Sequence, residues 1–434
     1  MASTAALTDH YELTMLEAAL HDGTWSRRCV FEVFARHLPT GRRYGVVAGT
    51  GRWLDALTDF RFDDALLTFL DRNRVVGPAT LAWLADYRFR GDVWGYAEGD
   101  TWFPGSPLLV IEGGFAEAVV LETLTLSIFN HDCAIAAAAS RMVTAAGAAR
   151  PLIEMGARRT HEEAAVAAAR AAYLAGFEST SNLAAGQRHG IPTRGTSAHS
   201  FTLVHDTERE AFAAQVAALG TSTTLLVDTF DVTEGVQTAV EVAGTQLGGV
   251  RVDSGDLAAE CHRVRRQLDE LGAQDTRIIV TGDLDEYAIA ALASAPADGY
   301  GVGTSLVTGS GAPTAALVYK LVARAGSDAP DAPMVGVAKR SLGKPSIGGR
   351  KWAFRLTDAD GVAREELVRV GSDYDAPRER PLLVRLVRAG EVVGAEPLVV
   401  ARERHRGALA ELPEEGRRLS MGDPAVETVF EEEI

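Results

Sequence analysis

Cysteine is scarce in this sequence, and its three copies lie far apart. Cys29, Cys133 and Cys261 form no CxxC pair, so neither a disulfide framework nor a cysteine-based zinc site is indicated. Such cysteine usage is typical of a reducing compartment, and we therefore expect a cytoplasmic protein.

Lysine and arginine are also fewer than aspartate and glutamate. The formal net charge is −16, which argues against a general nucleic-acid-binding protein because no basic stripe is available to neutralise phosphates. A local cluster of arginines can still bind a small polyanion, so an anionic substrate is compatible with the composition.

We expect neither a targeting segment nor a membrane-spanning segment in this sequence. Residues 1–15 have neither the basic start nor the apolar core of a signal peptide. The most apolar stretch, residues 119–149, contains polar and charged residues that are costly to place in the hydrocarbon core of a membrane. We therefore predict a long buried helix and no membrane contact. Those residues are Glu122, Asn130, His131, Asp132 and Arg141.

The chain also lacks three common motifs: a GxxxxGK[ST] loop, an HExxH metal motif, and a GxGxxG that opens a first βα unit. What is present is a strand-then-helix rhythm that begins at Pro151. Its candidate strands are short and rich in β-branched residues, as buried parallel strands are. They are PLIEM, GFEST, IPTRG, TTLLVDT, GGVRVD, TRIIVTG and GYGVGT.

The 434 residues, 47% of them apolar, can form two or three domains. We predict an N-terminal α+β domain over residues 1–115 and a helical lead-in with an irregular βα barrel over 116–325. A β-rich segment should follow over 326–434. We also predict one helical segment over residues 70–89 and a solvated acidic end over 425–434.

Two helices of the repeat have clear start signals. A capping box from Thr160 to Glu163 should begin the first, and Asp256 should begin the helix that stops at Gly272.

Nearly every candidate strand ends in polar, charged or glycine residues. Chemistry in a βα barrel collects at the carboxyl ends of the strands, so this pattern predicts one shared polar pocket. The residues are Arg158, Arg159, Thr196, His199, Ser200, Asp228, Asp231, Arg251, Asp253, Ser254, Asp256, Gly282, Asp283, Gly303, Thr304 and Ser305.

The last two strand ends fit a phosphate site. Gly282 and Gly303 would let backbone N–H groups approach a phosphate, and Thr304 would add a hydroxyl. The alternative is that both glycines serve only the geometry of strand-to-helix turns.

Four aspartates and Arg251 at the strand ends are a second set of candidate site residues. Asp253, Asp256, Asp228 and Asp231 could hold Mg²⁺ or contact sugar hydroxyls, although Asp256 reads better as a helix N-cap and Asp231 as a turn residue. Arg251 lies two residues before Asp253, on the same side of the strand, and a buried arginine there needs a partner or an anionic ligand. Arg158 and Arg159 could instead be surface residues.

His199 follows the strand IPTRG among the small residues Gly195, Ser197 and Ala198. It could be a structural hydrogen-bonding residue, a general base, a phosphate contact or a nucleophile. The small neighbours leave space beside the imidazole for a bulky group.

Seven motifs, in this order and spacing, resemble those of the nicotinate phosphoribosyltransferases. They are TDHYELTM, EMGARR, GFESTSN, GTSAHSF, VDTFD, VRVDSGDL and GVGTSLVT, and the resemblance spans roughly residues 8–355. The tail resembles the family weakly, apart from the basic stretch over residues 339–355.

This resemblance implies the fold of the type II phosphoribosyltransferases, an α+β domain beside an irregular βα barrel. It implies that nicotinate reacts with 5-phosphoribosyl-1-pyrophosphate, with Mg²⁺, to give nicotinate mononucleotide and pyrophosphate in NAD biosynthesis. It further implies ATP as a co-substrate whose hydrolysis is coupled through a phosphorylated His199. Such chemistry needs little acid–base help, because the attacking pyridine nitrogen carries no proton.

The resemblance also carries residue roles. Tyr11 would stack on the pyridine ring from a neighbouring subunit, which implies a homodimer, and Thr196 and Arg251 would contact nicotinate. The 5-phosphate of ribose would bind at Gly282, Gly303 and Thr304. Asp253 would contact the ribose hydroxyls or Mg²⁺. Arg158 and Arg159 belong to the substrate site without separate roles, and the exact metal ligands stay open.

Four alternatives remain. A quinolinate enzyme would need a denser cluster of cations around the ring, and a nicotinamide enzyme would need an amide acceptor where Arg251 stands. An unrelated phosphosugar-binding barrel enzyme is supported only by the two phosphate motifs. A non-catalytic barrel that binds nucleotide and signals through a partner is disfavoured by the number of polar strand ends.

Overall fold

The computed structural model describes residues 3–327, 329–339, 346–371 and 379–432. The chain forms two compact units. The first unit comprises Met1–Ala134 and Thr314–Ile434, and the second comprises Ile135–Pro313.

The N-terminal part of the chain alternates helices and short strands, with 3₁₀ turns at Thr4–Leu7 and Thr24–Ser26. Its strands are β1 Arg28–Ala35, β2 Gly45–Val46, β3 Asp92–Tyr96, β4 Thr101–Trp102 and β5 Leu109–Gly114. Its helices are α1 His10–Asp22, α2 Thr50–Thr58, α3 Asp64–Arg72, α4 Pro78–Ala85, α5 Phe115–Val119 and α6 Glu122–Ala146.

The second unit repeats a strand followed by one or more helices. Its strands are β6 Leu152–Glu154, β7 Ser179–Thr180, β8 Thr224–Leu226, β9 Gly249–Val252, β10 Arg277–Val280 and β11 Gly299–Val302. Its helices are α7 Glu162–Leu174, α8 Leu183–His189, α9 His199–Leu203, α10 Glu208–Leu219, α11 Val232–Ala243, α12 Leu257–Glu270, α13 Glu286–Ala291 and α14 Thr304–Val307, with a 3₁₀ turn at Leu292–Ser294.

The C-terminal part is mostly strand. Its strands are β12 Leu317–Ala325, β13 Met334–Gly336, β14 Lys351–Thr357, β15 Ala363–Val370, β16 Arg380–Pro381, β17 Leu383–Arg388, β18 Glu391–Val392 and β19 Glu427–Glu432. One helix, α15 Leu398–Glu411, and a 3₁₀ turn at Glu414–Arg417 lie between the last two strands.

The first unit is built on a seven-stranded antiparallel sheet in the order β13-β12-β1-β5-β3-β17-β18. A four-stranded sheet, β16-β14-β15-β19, and the pair β2-β4 complete it. Strand β1 is buried along almost its whole length because β12 and β5 flank it and the apolar core of this unit packs on it.

The unit boundaries differ from the predicted ones at 115/116 and 325/326. The first boundary falls inside α6, after Ala134, and the second falls before β12. The reason is that β12 pairs with β1, so this strand belongs to the antiparallel sheet and not to the barrel. Pairing between strands almost 300 residues apart leaves no local signal in the sequence.

The second unit contains the predicted parallel sheet, in the order β7-β6-β11-β10-β9-β8. Six of the seven candidate strands are strands, and the seventh, IPTRG, contributes one parallel bridge between Thr193 and Thr180. The sheet is an open half-barrel with helices between its strands. This confirms the irregular βα architecture.

Two local predictions were wrong. Helix α7 begins after His161, whose Nδ1 accepts from the N–H of Glu163, and not at a Thr160 box. Residues 70–89 form the end of α3 and a separate α4, because Pro78 starts a new helix after Gly77. Two elements were not predicted: α15, and the strand β19, which pairs in parallel with β15 while Glu427 and Glu431 remain exposed, as expected for the acidic end.

By length and composition alone, one helical stretch of the described residues, Phe115–Ala146, could cross a membrane. However, 67% of its most apolar window is buried within the protein, which is the behaviour of a core helix. The sequence-based expectation of a buried helix agrees with this placement.

Candidate active site

A cavity of about 480 Å³ opens at the carboxyl ends of the parallel strands in the second unit. Strand ends from β6 to β11 all contribute to its wall, since parallel strands present their carboxyl ends at one edge of a sheet. The wall is formed by Met155, Ala157, Arg158, Arg159, Ser181, Arg194, Gly195, Thr196, Ser197, Ala198, His199, Leu226, Arg251, Asp253, Thr281, Gly282, Asp283, Gly301, Gly303 and Thr304.

Arg251, on β9, is held in place by hydroxyl groups from two sides. Its Nε donates to Thr281 Oγ1 at 2.9 Å, and its Nη1 donates to Thr196 Oγ1 at 3.0 Å. Its Nη2 lies 3.3 Å from Asp253 Oδ1, and its side chain is only 12% exposed. The guanidinium is therefore a fixed cation with a single carboxylate partner among the described residues.

Asp253 and Asp228 connect the ends of β8, β9 and β10. Asp253 Oδ1 accepts a hydrogen bond from the hydroxyl of Thr281, which ties it to the end of β10. Asp228 Oδ2 accepts from the backbone N–H of Asp253 at 3.0 Å and from Ser254 Oγ at 2.8 Å. Asp253 thus faces the cavity, while Asp228 supports the loop that carries it.

His199 begins the short helix α9 at the cavity wall. Its Nδ1 lies 3.2 Å from Thr229 Oγ1, and its Nε2 lies 4.0 Å from Asp228 Oδ1. The His199 side chain is 44% exposed, whereas that of Asp228 is 1% exposed. The imidazole is therefore open to the cavity on one side and next to a buried carboxylate on the other.

The candidate phosphate residues lie at the ends of β10 and β11. Gly282 has φ +116°, and a Cβ there would come within 2.7 Å of the carbonyl oxygen of Asp253, so only glycine fits. Asp283 follows in the left-handed region with φ 46°, which few residues other than glycine adopt, although aspartate tolerates it better than most. Gly303 and the exposed Thr304 complete this part of the wall.

The remaining predicted residues are placed as follows. Arg158 and Arg159 are exposed and line the cavity, while Asp231 and Asp256 are the N-caps of α11 and α12. Tyr11 belongs to the first unit, on α1, and is 44% exposed. Partial burial and the carboxylates of Glu122 and Glu12 raise the pKa of Tyr11 to about 12.

Several cavity residues were not singled out from the sequence. Arg194 lies in the IPTRG stretch, and Thr281 follows β10; both line the cavity. Thr229, which was also not singled out, follows β8 outside the cavity wall and contacts His199. Beneath the wall, Glu154 accepts hydrogen bonds from the N–H of Gly156 and the hydroxyl of Thr180. Burial raises the pKa of the Glu154 carboxyl.

The described residues contain no group of three or more His, Cys, Asp or Glu side chains arranged to hold a metal ion. Asp253 and Asp283 are the two carboxylates in the cavity wall. This donor set suits a Mg²⁺ ion that is bound mainly through substrate phosphates, because Mg²⁺ commonly uses one or two protein carboxylates and keeps its other ligands.

Comparison with known proteins decides the family. Residues 6–130 match the model for the nicotinate phosphoribosyltransferase (NAPRTase) N-terminal domain. Nicotinate phosphoribosyltransferase pncB1 of Mycobacterium tuberculosis is 58% identical, over 97% of this chain and 94% of that protein. The chain belongs to the nicotinate phosphoribosyltransferase family. Because the match covers 97% of the chain, the family resemblance extends beyond residues 8–355 into the tail.

More distant relatives and solved structures are consistent with this family assignment. The human nicotinate phosphoribosyltransferase is 30% identical over 86% of this chain and 80% of that protein. The crystal structure of human nicotinic acid phosphoribosyltransferase superposes with a TM-score of 0.82 at 25% identity, covering 98% of this chain and 97% of the other. Nicotinate-nucleotide pyrophosphorylase from Pyrococcus furiosus, at 24% identity and a TM-score of 0.75 over 94% and 96% of the two chains, shares the fold.

Proposed function

We propose that this protein is a nicotinate phosphoribosyltransferase. It transfers the 5-phosphoribosyl group of 5-phosphoribosyl-1-pyrophosphate to nicotinate and forms nicotinate mononucleotide and pyrophosphate for NAD biosynthesis. The observation that carries this proposal is the 58% identity, over nearly the full chain, to a protein of that name. The cavity supports it, because its wall contains four arginines and two aspartates and so favours anionic ligands.

Arg251 and Thr196 are the proposed contacts of nicotinate. The guanidinium is already oriented by Thr281 and Thr196, so pairing with the pyridine carboxylate requires little further ordering. The planar fork of arginine matches a carboxylate with two parallel N–H donors. Arg158, exposed at the end of β6, supplies a further cation to the substrates.

The 5-phosphate of ribose binds at Gly282, Gly303 and Thr304. The two glycines keep the wall free of side chains, so backbone N–H groups can approach the phosphate oxygens, and Thr304 adds a hydroxyl donor. The sugar then spans the cavity between this end and Arg251, which brings C1 of the ribose towards the pyridine nitrogen.

The transfer breaks the bond between C1 of the ribose and the pyrophosphate oxygen, and the pyridine nitrogen forms the new bond to C1. Positive charge develops on the sugar, and the carboxylate of Asp253 faces the site where a ribose hydroxyl or the metal would lie. Mg²⁺, with Asp253 and Asp283 as candidate ligands, would neutralise charge on the pyrophosphate leaving group. No side chain needs to remove a proton from the pyridine nitrogen.

His199 couples ATP hydrolysis to the transfer. A ring nitrogen attacks the γ-phosphorus of ATP, the bond to ADP breaks, and water later releases phosphate from the phosphohistidine and restores the imidazole. Thr229 orients the ring at 3.2 Å, and 44% exposure leaves room for the phosphoryl group. The active protein is a homodimer in the cytoplasm. Tyr11 of the second subunit stacks on the pyridine ring.

The decisive assay offers nicotinate, nicotinamide and quinolinate separately with 5-phosphoribosyl-1-pyrophosphate and Mg²⁺, with and without ATP. Nicotinate mononucleotide and stoichiometric pyrophosphate should form only with nicotinate, and faster with ATP. A preference for nicotinamide or quinolinate would replace the proposed substrate, and no turnover of any of the three would exclude a pyridine phosphoribosyltransferase.

Two variants test the assigned residues. His199→Ala should keep slow transfer but lose its stimulation by ATP, and unchanged stimulation would exclude the coupling role. Arg251→Lys keeps the charge but loses the fork, so the KM for nicotinate should rise by about tenfold or more. An unchanged KM for nicotinate would show that another group binds the carboxylate.

A further inference from the structure

One segment, residues 193–199, runs along the cavity wall and crosses from one edge of the half-barrel to the other. At its start, Thr193 bridges Thr180, and the N–H of Arg194 donates to the carbonyl of Thr180 at 2.9 Å, next to β7. At its end, His199 contacts Thr229, which follows β8. Strands β7 and β8 are the two edges of the sheet, so this crossing segment links both edges.

The crossing segment is also attached in its middle. Thr196 Oγ1 and the carbonyl of Ser197, at 3.0 and 3.4 Å, both accept from Arg251 on β9. Attachment at three places fixes the backbone on either side of Arg194. Arg194 therefore lines the cavity from an ordered backbone, in the same segment as His199.

The four arginines of the cavity wall differ in their partners. Arg251 has a carboxylate partner in Asp253, as well as three oxygen acceptors. Arg158, Arg159 and Arg194 form no ion pair with any carboxylate in the part of the chain that the structure describes. Among the described residues, one other carboxylate, that of Asp283, lines the wall, so these side chains give the cavity an excess of positive charge.

Such charge favours a ligand with several negative charges. Exposed arginines stay hydrated without a ligand, and each can form two parallel charge-assisted hydrogen bonds to adjacent phosphate oxygens. A phosphoanhydride, in which two phosphates share one oxygen, offers closely spaced anionic oxygens to more than one arginine. Nicotinate has a single carboxylate and would leave most of this charge unpaired.

We infer that Arg194 binds the phosphoanhydride group of a substrate, from the β7 side of the cavity. This deepens the proposed function and rests on it, since both 5-phosphoribosyl-1-pyrophosphate and ATP contain such a group. Arg194 acts together with Arg158 and Arg159, which reach the cavity from the end of β6, the strand adjacent to β7. It holds the pyrophosphate while the crossing segment also positions His199.

The first test measures binding and does not depend on catalysis. Inorganic pyrophosphate is titrated calorimetrically, with Mg²⁺, into the full-length protein and its Arg194→Ala and Arg194→Lys variants. Loss of charge-assisted hydrogen bonds should weaken binding about ten- to a hundredfold in the alanine variant and less in the lysine variant. The matched control is Arg188→Ala, since Arg188 on α8 pairs with Glu163 away from the cavity wall.

The second test identifies the source of the anhydride. A rise in the KM for 5-phosphoribosyl-1-pyrophosphate alone assigns Arg194 to that substrate, a rise for ATP alone assigns it to ATP, and a rise for both indicates a shared subsite. The KM for nicotinate should change least.

Unchanged pyrophosphate affinity together with unchanged KM values for both substrates would overturn the inference. Failure of nicotinate turnover in the wild-type protein, with pyrophosphate binding still dependent on Arg194, would overturn only the proposed substrate. Circular dichroism and thermal midpoints equal to wild type exclude unfolding as the cause of any loss.

Discussion

The hydroxyl of Thr229 lies 3.2 Å from Nδ1 of His199 and joins the crossing segment to the end of β8. The contact engages Nδ1, while Nε2 lies 4.0 Å from the buried Asp228 Oδ1. A ring with one nitrogen held in this way is oriented before a substrate arrives. Orientation of this kind lowers the entropic cost of a reaction at the other nitrogen.

Replacing Thr229 by valine should reduce the stimulation by ATP. Valine keeps the shape of threonine and removes the hydroxyl, so the ring loses one neutral hydrogen bond, worth about 1 kcal/mol or roughly a fivefold change. The measurement is the rate of nucleotide formation with and without ATP, together with phosphohistidine from γ-labelled ATP. Thr245→Val, at an exposed position after α11, is the control, and equal losses in both variants would contradict an orienting role for Thr229.

Gly282 should not tolerate alanine. Its φ of +116° is a region that favours glycine, and a Cβ would come within 2.7 Å of the carbonyl of Asp253. We expect Gly282→Ala to destabilise the protein by about 1–3 kcal/mol and to weaken binding of 5-phosphoribosyl-1-pyrophosphate, measured by urea unfolding and by KM.

Gly407 provides the contrast to Gly282. It lies within α15, where an added Cβ meets no atom within 4 Å. Gly407→Ala should therefore be neutral or stabilise by up to about 1 kcal/mol. If both alanine variants had the same free energy of unfolding, the close approach of Gly282 to Asp253 would not explain why residue 282 is a glycine.

Glu208 should make stability depend on pH. Burial and the neighbouring carboxylates of Glu234, Asp228 and Asp231 raise its pKa to about 7. The folded state therefore holds a proton that the unfolded state has already released, and stability is lost as the pH rises from about 4.5 to about 7. Glu208→Gln removes this loss and should therefore raise the free energy of unfolding at pH 8. We expect an increase of only about 1 kcal/mol, because solvent screens the charge of a part-buried carboxylate.

Urea unfolding of wild type and Glu208→Gln at pH 4.5 and pH 8 tests this. The two proteins should have similar stability at pH 4.5, and the glutamine variant should be more stable at pH 8. A variant that is less stable than wild type at pH 8 would indicate that the ionised carboxylate has a favourable partner.

The sequence predicted the second unit better than the first, for a physical reason. Strands such as β9 and β10 are buried on both faces, so their β-branched residues and their polar ends can be read locally. In the first unit, β1 pairs with β12, and the register Phe34 to Val318 depends on contacts far apart in the chain. Such pairing depends on tertiary packing and not on local propensity.

In the candidate site, too, the sequence predicted residues with a local signal and missed those that only the tertiary fold brings together. Arg251 was identifiable because an arginine next to a buried strand end needs a partner, and His199 because of its small neighbours. Arg194 carries no such local signal, and only the path of residues 193–199 across the sheet brings it to the cavity. Asp231 and Asp256 were interpreted correctly as cap or turn residues because N-caps have a strong local preference.

Lys351 and Glu32 form a buried ion pair that should be costly to break on one side only. Lys351 Nζ lies 2.7 Å from Glu32 Oε2, and the two side chains are 2% and 3% exposed. Lys351→Met leaves the carboxylate buried without its cation, at a cost of about 3–5 kcal/mol. The double variant Lys351→Met/Glu32→Leu removes both charges and should recover much of this loss.

The penalty of Lys351→Met should also depend on pH. Burial raises the pKa of Glu32, and Lys351 opposes this rise, so removing the lysine raises that pKa further. A carboxyl whose folded pKa is raised loses stability as the pH increases, so the variant should be less impaired at pH 5 than at pH 8. Urea midpoints of the wild type, both single variants and the double variant at these two pH values measure the coupling. Additive effects of the two substitutions at pH 8 would mean that the pair contributes no mutual stabilisation.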